Sequence, residues 1–138
     1  MLELRCEPLD TVRVAFIGLG MRGSGAVYRY TFLEGVKVVA LCDVVPENVE
    51  CANKTLEEMG FPKAEAYTGA EDWKKVCERS DVDLVYVCTH WDLHAPIGVY
   101  AMEQGKHVAL EVPAALTVEE CWQLVNTAEK TRRHCIQL

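Results

Sequence analysis

A chain of 138 residues with a net charge of −7 has enough material for one domain, burying about two-thirds of the surface its unfolded form exposes, and too little for a second independent core. The acidic balance and the lack of any Lys/Arg cluster exclude a nucleic-acid groove, because phosphate backbones are held chiefly by basic side chains. No stretch approaches the roughly 20 apolar residues of a membrane helix, and Met1 to Pro8 lacks the basic and apolar regions of a signal peptide, so the chain as given reads as soluble.

The first predicted strand, Val12 to Ile17, runs straight into Gly18-Leu19-Gly20-Met21-Arg22-Gly23, a G-x-G-x-x-G turn. Gly18 permits a tight strand-to-helix reversal, Gly20 lets backbone approach a pyrophosphate, and Gly23 lets the next helix press on the strand. The pyrophosphate would sit at that helix's N-terminus, where free N–H groups and the positive end of the macrodipole favour an anion. The helix is expected over Gly25 to Leu33, closed by Gly35. A second strand, Val36 to Cys42, ends at Asp43, placed to accept both ribose hydroxyls of an adenosine. The competing reading is that Asp43 only caps the following helix, since Pro46 comes three residues later. A carboxylate there repels a 2′-phosphate, and Asp43 is followed by Val44 and Val45 with no basic neighbour, so NAD is favoured over NADP.

The run Pro46 to Met59 carries Val49, Ala52, Leu56 and Met59 at helical spacing before Gly60 stops it. Ala64 to Tyr67 reads as a third strand and Glu71 to Glu78 as a helix around Trp73 and Val76. Asp83 to Cys88 is a fourth strand, so uniformly apolar that both faces must be covered. Leu93 to Gln104 follows as a helix that tolerates Pro96 in its first turn, then His107 to Glu111 as a fifth strand. Thr117-Val118-Glu119-Glu120 is a capping box opening a last helix in which Val118, Cys121, Trp122, Val125 and Ala128 are expected to line the buried face. Cys135 to Leu138 is a sixth strand. Strands alternating with helices behind a phosphate turn predict an α/β fold of three layers, a Rossmann doubly wound parallel sheet in the order 3-2-1-4-5-6 spanning residues 1–138.

Seven cysteines, an odd number without a C-x-x-C pair, argue against a disulfide framework. Cys42, Cys88 and Cys135 fall in predicted buried strands and read as small core residues in reducing, cytoplasmic surroundings. A metal site built from Cys88, His90 and His94 has no second cluster to complete it, and no metal is expected.

Ligands of such sheets lie beyond the carboxyl ends of the strands at the switch point. Here that region gathers Gly18, Gly20, Gly23, Asp43, the segment Thr89 to His94, and Glu111-Val112-Pro113. Trp91 is placed to pack on a flat cofactor ring, or else to pack at a hinge. His94 is placed to donate to a ribose or phosphate oxygen, or else to close a helix N-terminal turn. Glu111 would be costly to bury unpaired, which suits either hydrogen bonds to cofactor hydroxyls or a structural salt bridge.

These motifs resemble the N-terminal domains of the Gfo/Idh/MocA oxidoreductases, in which Gly-Lys-His-Val is followed by Glu-Lys-Pro. The corresponding segments are Gly105-Lys106-His107-Val108 and Glu111-Val112-Pro113. The lysine of Glu-Lys-Pro is that family's usual catalytic acid/base, and Val112 cannot move a proton. The departure resembles glycoside hydrolase family 109, on the evidence of Gly20-Met21-Arg22-Gly23, Trp91 with His94, Tyr100-Ala101-Met102, Glu111 to Ala115, and Glu120-Cys121-Trp122 through His134-Cys135.

The resemblance implies NAD-dependent cleavage of α-N-acetylgalactosaminides, in which the sugar is transiently oxidised at C3. The acidified C2 proton then leaves, the glycosidic bond is eliminated, water adds and the hydride returns. It further implies NAD contacts from Met21, Arg22, Asp43, Trp91, Asp92, Leu93, His94, Glu111 and Val112. The family's catalytic tyrosine and histidine lie in a second domain, so the chain is expected to be the cofactor half of a longer enzyme, whose export is left open, and inactive alone. An NAD-dependent sugar dehydrogenase and a non-catalytic NAD-responsive module are the rival readings. A methyltransferase fits less well, since its glycine loop usually lacks the third glycine at this spacing. Severed from a second domain, the region of the sixth strand is expected to expose apolar surface and to form homo-oligomers.

Overall fold

The computed structural model describes residues 6–138; the reading of the extreme N-terminus as lacking an export signal falls partly on residues 1–5, outside the described part. Six parallel strands form one sheet in the order β3-β2-β1-β4-β5-β6. They are β1 (Val12–Ile17), β2 (Val36–Cys42), β3 (Glu65–Tyr67), β4 (Leu84–Val87), β5 (His107–Leu110) and β6 (Cys135–Gln137). The helices between them are α1 (Met21–Tyr30), α2 (Pro46–Glu58), α3 (Asp72–Glu78), α4 (His94–Glu103) and α5 (Val118–Thr131). The order is the one the alternation predicts. It reverses between β1 and β4, and that reversal opens the cleft described below.

Side chains alternate across the strands and so build two cores. Val14, Phe16, Tyr86 and Ala109 meet the helices α1 and α2 on one face, with Ala26, Val27, Val49, Ala52 and Leu56. Ala15, Ile17, Val85, Val87, Val108 and Leu110 meet α3, α4 and α5 on the other, with Val76, Ile97, Ala101, Met102 and Leu124. On α4, Gly98 lets Leu110 and Leu124 close in: a Cβ there would lie 3.1 Å from Leu124.

Most elements lie within one residue of expectation, and one helix and one buried face depart from it further. The first helix begins at Met21 directly after its N-cap Gly20, four residues before the predicted start at Gly25, and ends at Tyr30 rather than Leu33. The low helix propensity of Gly23 and Gly25 hides that start, whereas close packing of Gly23 on Gly18 demands it. In α5 the capping box forms as read, with the Thr117 side chain and Glu120 bonded reciprocally. Its expected buried face, however, turns outward: Val118, Trp122 and Val125 are 68%, 61% and 48% exposed, Cys121 is also exposed, and Leu124 with Ala128 makes the contact. The helix has two apolar stripes, and the one holding Leu124 packs on Gly98 of α4.

All seven cysteines are free; Cys42 is buried, while Cys88, one residue past β4, and Cys135 are half-buried. Among the described residues no helix is long and apolar enough to cross a membrane.

Candidate cofactor site

The glycine turn owes its shape to backbone packing. Gly18 holds φ +89°, and a Cβ on it would lie 2.4 Å from the Cys88 carbonyl oxygen. A Cβ on Gly23 would lie 1.9 Å from the Gly18 carbonyl oxygen, a distance no side chain survives. Gly20 differs from both. Its φ is −63°, which any residue adopts, and no protein atom lies within 4 Å of the space its Cβ would take. Nothing inside the described protein requires glycine there, whereas a ligand backed against the turn would.

The turn delivers the chain into α1 with no side-chain cap at Gly20 and no acidic residue in the first turn. Its leading N–H groups therefore keep their positive partial charge for an anion.

Asp43, half-buried at the end of β2, ties two loops together. Its Oδ2 accepts from the Leu19 N–H at 2.6 Å, and its Oδ1 accepts from the Val45 N–H at 2.8 Å. Each carboxylate oxygen can accept two hydrogen bonds and here accepts one from the protein, so one position remains on each for an outside donor. Asp43 does not cap α2, whose N-cap Val45 has no side-chain cap hydrogen bond; its bond to the Val45 N–H is a local turn that leaves acceptor positions on the carboxylate.

Between these loops lies a cleft of about 340 Å³ lined by Gly18, Gly20, Asp43, Thr89 and Leu93 among the expected residues. Val44, Val45, Asn48, Gly69, Ala70 and Trp73 line it as well and were not read from the sequence as site residues. They come from the loops after β2 and β3 and from the first turns of α2 and α3, which only the sheet order brings to one place. The Trp73 ring is held edge-on against Tyr100, centroids 5.4 Å apart. A second hollow of about 370 Å³ adjoins the first and is lined by Thr89, His90, Trp91, Asp92 and Leu116. Trp91 stands 62% exposed on a short 3-10 turn, Trp91–Leu93.

The remaining expected residues divide by exposure. Met21 is 89% exposed and Val112 52% exposed, both toward solvent. Glu111 is buried at 6% exposure beyond β5, its Oε2 taking Arg22 Nη2 at 3.2 Å and its Oε1 the Tyr86 hydroxyl at 3.0 Å. Burial pushes the Glu111 carboxyl up, but the Tyr86 hydroxyl and the Arg22 guanidinium more than offset it, and the carboxyl lies below its ordinary range. His94 is 1% exposed, with Nδ1 2.8 Å from the Pro113 carbonyl oxygen and Nε2 3.0 Å from that of Thr89. Its ring pins the loop after β4 to the loop after β5, so any bond to a ribose or phosphate would have to displace a carbonyl.

The cleft suits a dinucleotide: a glycine with no internal reason to be glycine, an uncapped helix N-terminus and a carboxylate with free acceptor positions converge on it. Residues 12–137 match the profile of the oxidoreductase family with NAD-binding Rossmann fold. The chain is 60% identical over 139 residues to glycosyl hydrolase family 109 protein 1 of Bacteroides thetaiotaomicron, covering all of this chain and 30% of that protein. It is 56% identical over 138 residues to an alpha-N-acetylgalactosaminidase of Bacteroides fragilis, covering all of this chain and 32% of the other. The chain thus spans about a third of the length of these relatives.

Among solved structures, the fold is similar to scyllo-inositol dehydrogenase from Lactobacillus casei with bound NAD(H) and scyllo-inositol, with TM-score 0.78, 22% identity, and coverage of 92% of this chain and 36% of that one. It is also similar to the WlbA dehydrogenase of Chromobactrium violaceum in complex with NADH and UDP-GlcNAcA, with TM-score 0.73, 24% identity, and coverage of 94% and 35%. At these identities the likeness is one of fold. The chain belongs to the Gfo/Idh/MocA oxidoreductase family, as an NAD-binding Rossmann domain whose cofactor is NAD.

Proposed function

We propose that the chain is the cofactor half of a glycoside hydrolase of family 109, acting on α-N-acetylgalactosaminides by redox-assisted elimination. The observation that carries the cofactor reading is Gly20, open on its Cβ side to a cleft that Asp43 closes. In this reading the pyrophosphate lies against Gly20 and the first turn of α1, and the ribose hydroxyls donate to the free positions on Asp43. The adenine packs in the apolar part of the cleft between Val44 and Val45 on one side and Ala70 and Trp73 on the other. Met21, Arg22, Trp91, Asp92, Glu111 and Val112 border the nicotinamide half, and His94 positions Thr89 and Pro113 rather than touching the cofactor.

NAD supplies the hydride acceptor; the chain binds and orients it. Val112 stands where the dehydrogenases of the family carry lysine, so proton transfer falls to residues outside this chain, which supports the glycosidase reading over a sugar dehydrogenase. The names of the 60% and 56% identical relatives support it independently. A homo-oligomer fits the outward stripe of α5 beside β6, the last strand of the sheet among the described residues, where Ile136 is 54% exposed. The test is release of N-acetylgalactosamine from a para-nitrophenyl α-glycoside. A protein extended to the relatives' length should hydrolyse it only with NAD, and the present chain should bind NAD without turnover. Hydrolysis by the 138-residue chain alone would refute the division of labour.

A further inference from the structure

The cofactor contacts above do not account for the buried hydroxyl of Tyr86. Tyr86 on β4 is 4% exposed, its ring wedged against Phe16 at 5.1 Å and Tyr30 at 5.7 Å between centroids. A tyrosine serving only the core could end its hydroxyl on any carbonyl. Instead it donates at 3.0 Å to Glu111, a carboxylate whose burial is unfavourable unless it is fully partnered. Glu111 in turn holds Arg22, which stands 66% exposed in the glycine turn. A hydrogen-bonded chain therefore runs from the aromatic core, through the end of β5, to the rim of the phosphate site.

We propose that Tyr86 is a positioning residue for the cofactor: its hydroxyl fixes the orientation of Glu111, which holds Arg22 and turns its remaining lone pairs toward the dinucleotide. This rests on Glu111 being a cofactor contact. Tyr86 on Oε1 and Arg22 on Oε2 each use one of the two acceptor positions of their oxygen. The other titratable groups facing the pair are Tyr30 of α1 and Cys88 after β4, which in turn face Arg29 of α1. Burial pushes the Cys88 thiol up to about 12 and raises the Tyr30 and Tyr86 phenols, so these three stay neutral near pH 7 and Glu111 is the negative group of the cluster.

The experiment is calorimetric titration of NAD+ into the folded chain at about pH 5.5 and about pH 8, for wild type, Tyr86→Phe, Glu111→Gln and the double variant. Position 86 carrying 4-fluorophenylalanine fills the hydroxyl's volume without donating, and serves should Tyr86→Phe fail to fold. Losing a hydrogen bond to a charged, buried group should weaken binding about tenfold, and by more at the lower pH than at the higher, because the lost donor moves the Glu111 carboxyl up. The double variant should bind as Glu111→Gln does, because Tyr86 acts only through Glu111. A merely structural tyrosine would lower the melting temperature and leave the affinity unmoved, and that result, or losses that add in full, overturns the proposal. Should Glu111→Gln bind as tightly as wild type, the Glu111 contact itself fails and the proposal with it. A weakened Glu111→Gln beside an unaffected Tyr86→Phe removes Tyr86 alone.

Discussion

The Leu19 N–H and the Asp43 carboxylate are joined by a 2.6 Å hydrogen bond that fastens the glycine turn after β1 to the end of β2. The two halves of the proposed adenosine site are therefore one unit before any ligand arrives, which lowers the ordering cost of binding. Asp43→Ala cuts this link and removes the ribose acceptor together. NAD+ affinity should fall about tenfold to a hundredfold, the range for hydrogen bonds to a charged group, as measured by calorimetry. Retention of wild-type affinity would exclude Asp43 as the ribose contact.

The glycines of the turn should respond in opposite ways. Gly23→Ala drives a methyl group into the Gly18 carbonyl, 1.9 Å away, and should destabilise the fold by about 3 kcal/mol or more, at or beyond the upper end for overpacking. Gly20→Ala meets nothing in the protein. It should leave the melting temperature almost unchanged while weakening NAD+ binding about tenfold, since only a close ligand would feel the methyl group. Thermal melts with and without NAD+ separate the two, and a Gly20→Ala chain that binds normally would place the pyrophosphate elsewhere.

At the opposite end of the sheet, Asp83 accepts from the Arg13 N–H at 2.9 Å and from its guanidinium at 2.8 and 2.6 Å. The Arg13 bonds hold the Asp83 carboxyl below its ordinary range against the opposing effect of burial. A group depressed on folding stabilises the protein fully above its unfolded pKa of about 3.9 and loses that contribution as pH falls through the lower folded value. Asp83→Asn should therefore flatten the fall in melting temperature below about pH 4.5 and lower the melting temperature at pH 7. An unchanged acid profile would show that the pair contributes nothing to folding.

The outward stripe of α5 carries the expectation of self-association. Trp122, 61% exposed beside Val118 and Val125, is its largest member. Trp122→Glu should shift sedimentation at high protein concentration toward monomer without changing NAD+ affinity. A wild-type chain that sediments as a clean monomer throughout would remove the oligomer reading.

The sheet order was legible because each strand reads as an apolar run and each helix as a 3.6-residue stripe, and right-handed crossovers leave few ways to lay such units down. The turn and Asp43 were legible because their spacing is set by local geometry. Other features were not local. Ala70 and Trp73 join the cleft only because β3 lies beside β2. In α5 two apolar stripes compete, and the choice of Leu124 over Val118 and Trp122 depends on the space that Gly98 leaves on α4. His94 was recognisable as part of the site region, but its two carbonyl partners come from loops after β4 and β5 that the sequence keeps far apart.

The loop around Gly20 and the acid at position 43 are proposed to grip NAD together. The most direct measurement is a 15N-labelled chain titrated with NAD+ and followed amide by amide. The largest shifts should fall on Leu19, Gly20, Met21, Asp43 and Val45, saturating with a dissociation constant in the high micromolar range or weaker, and should vanish in Asp43→Ala. Millimolar NAD+ that leaves those amides in place would contradict the account.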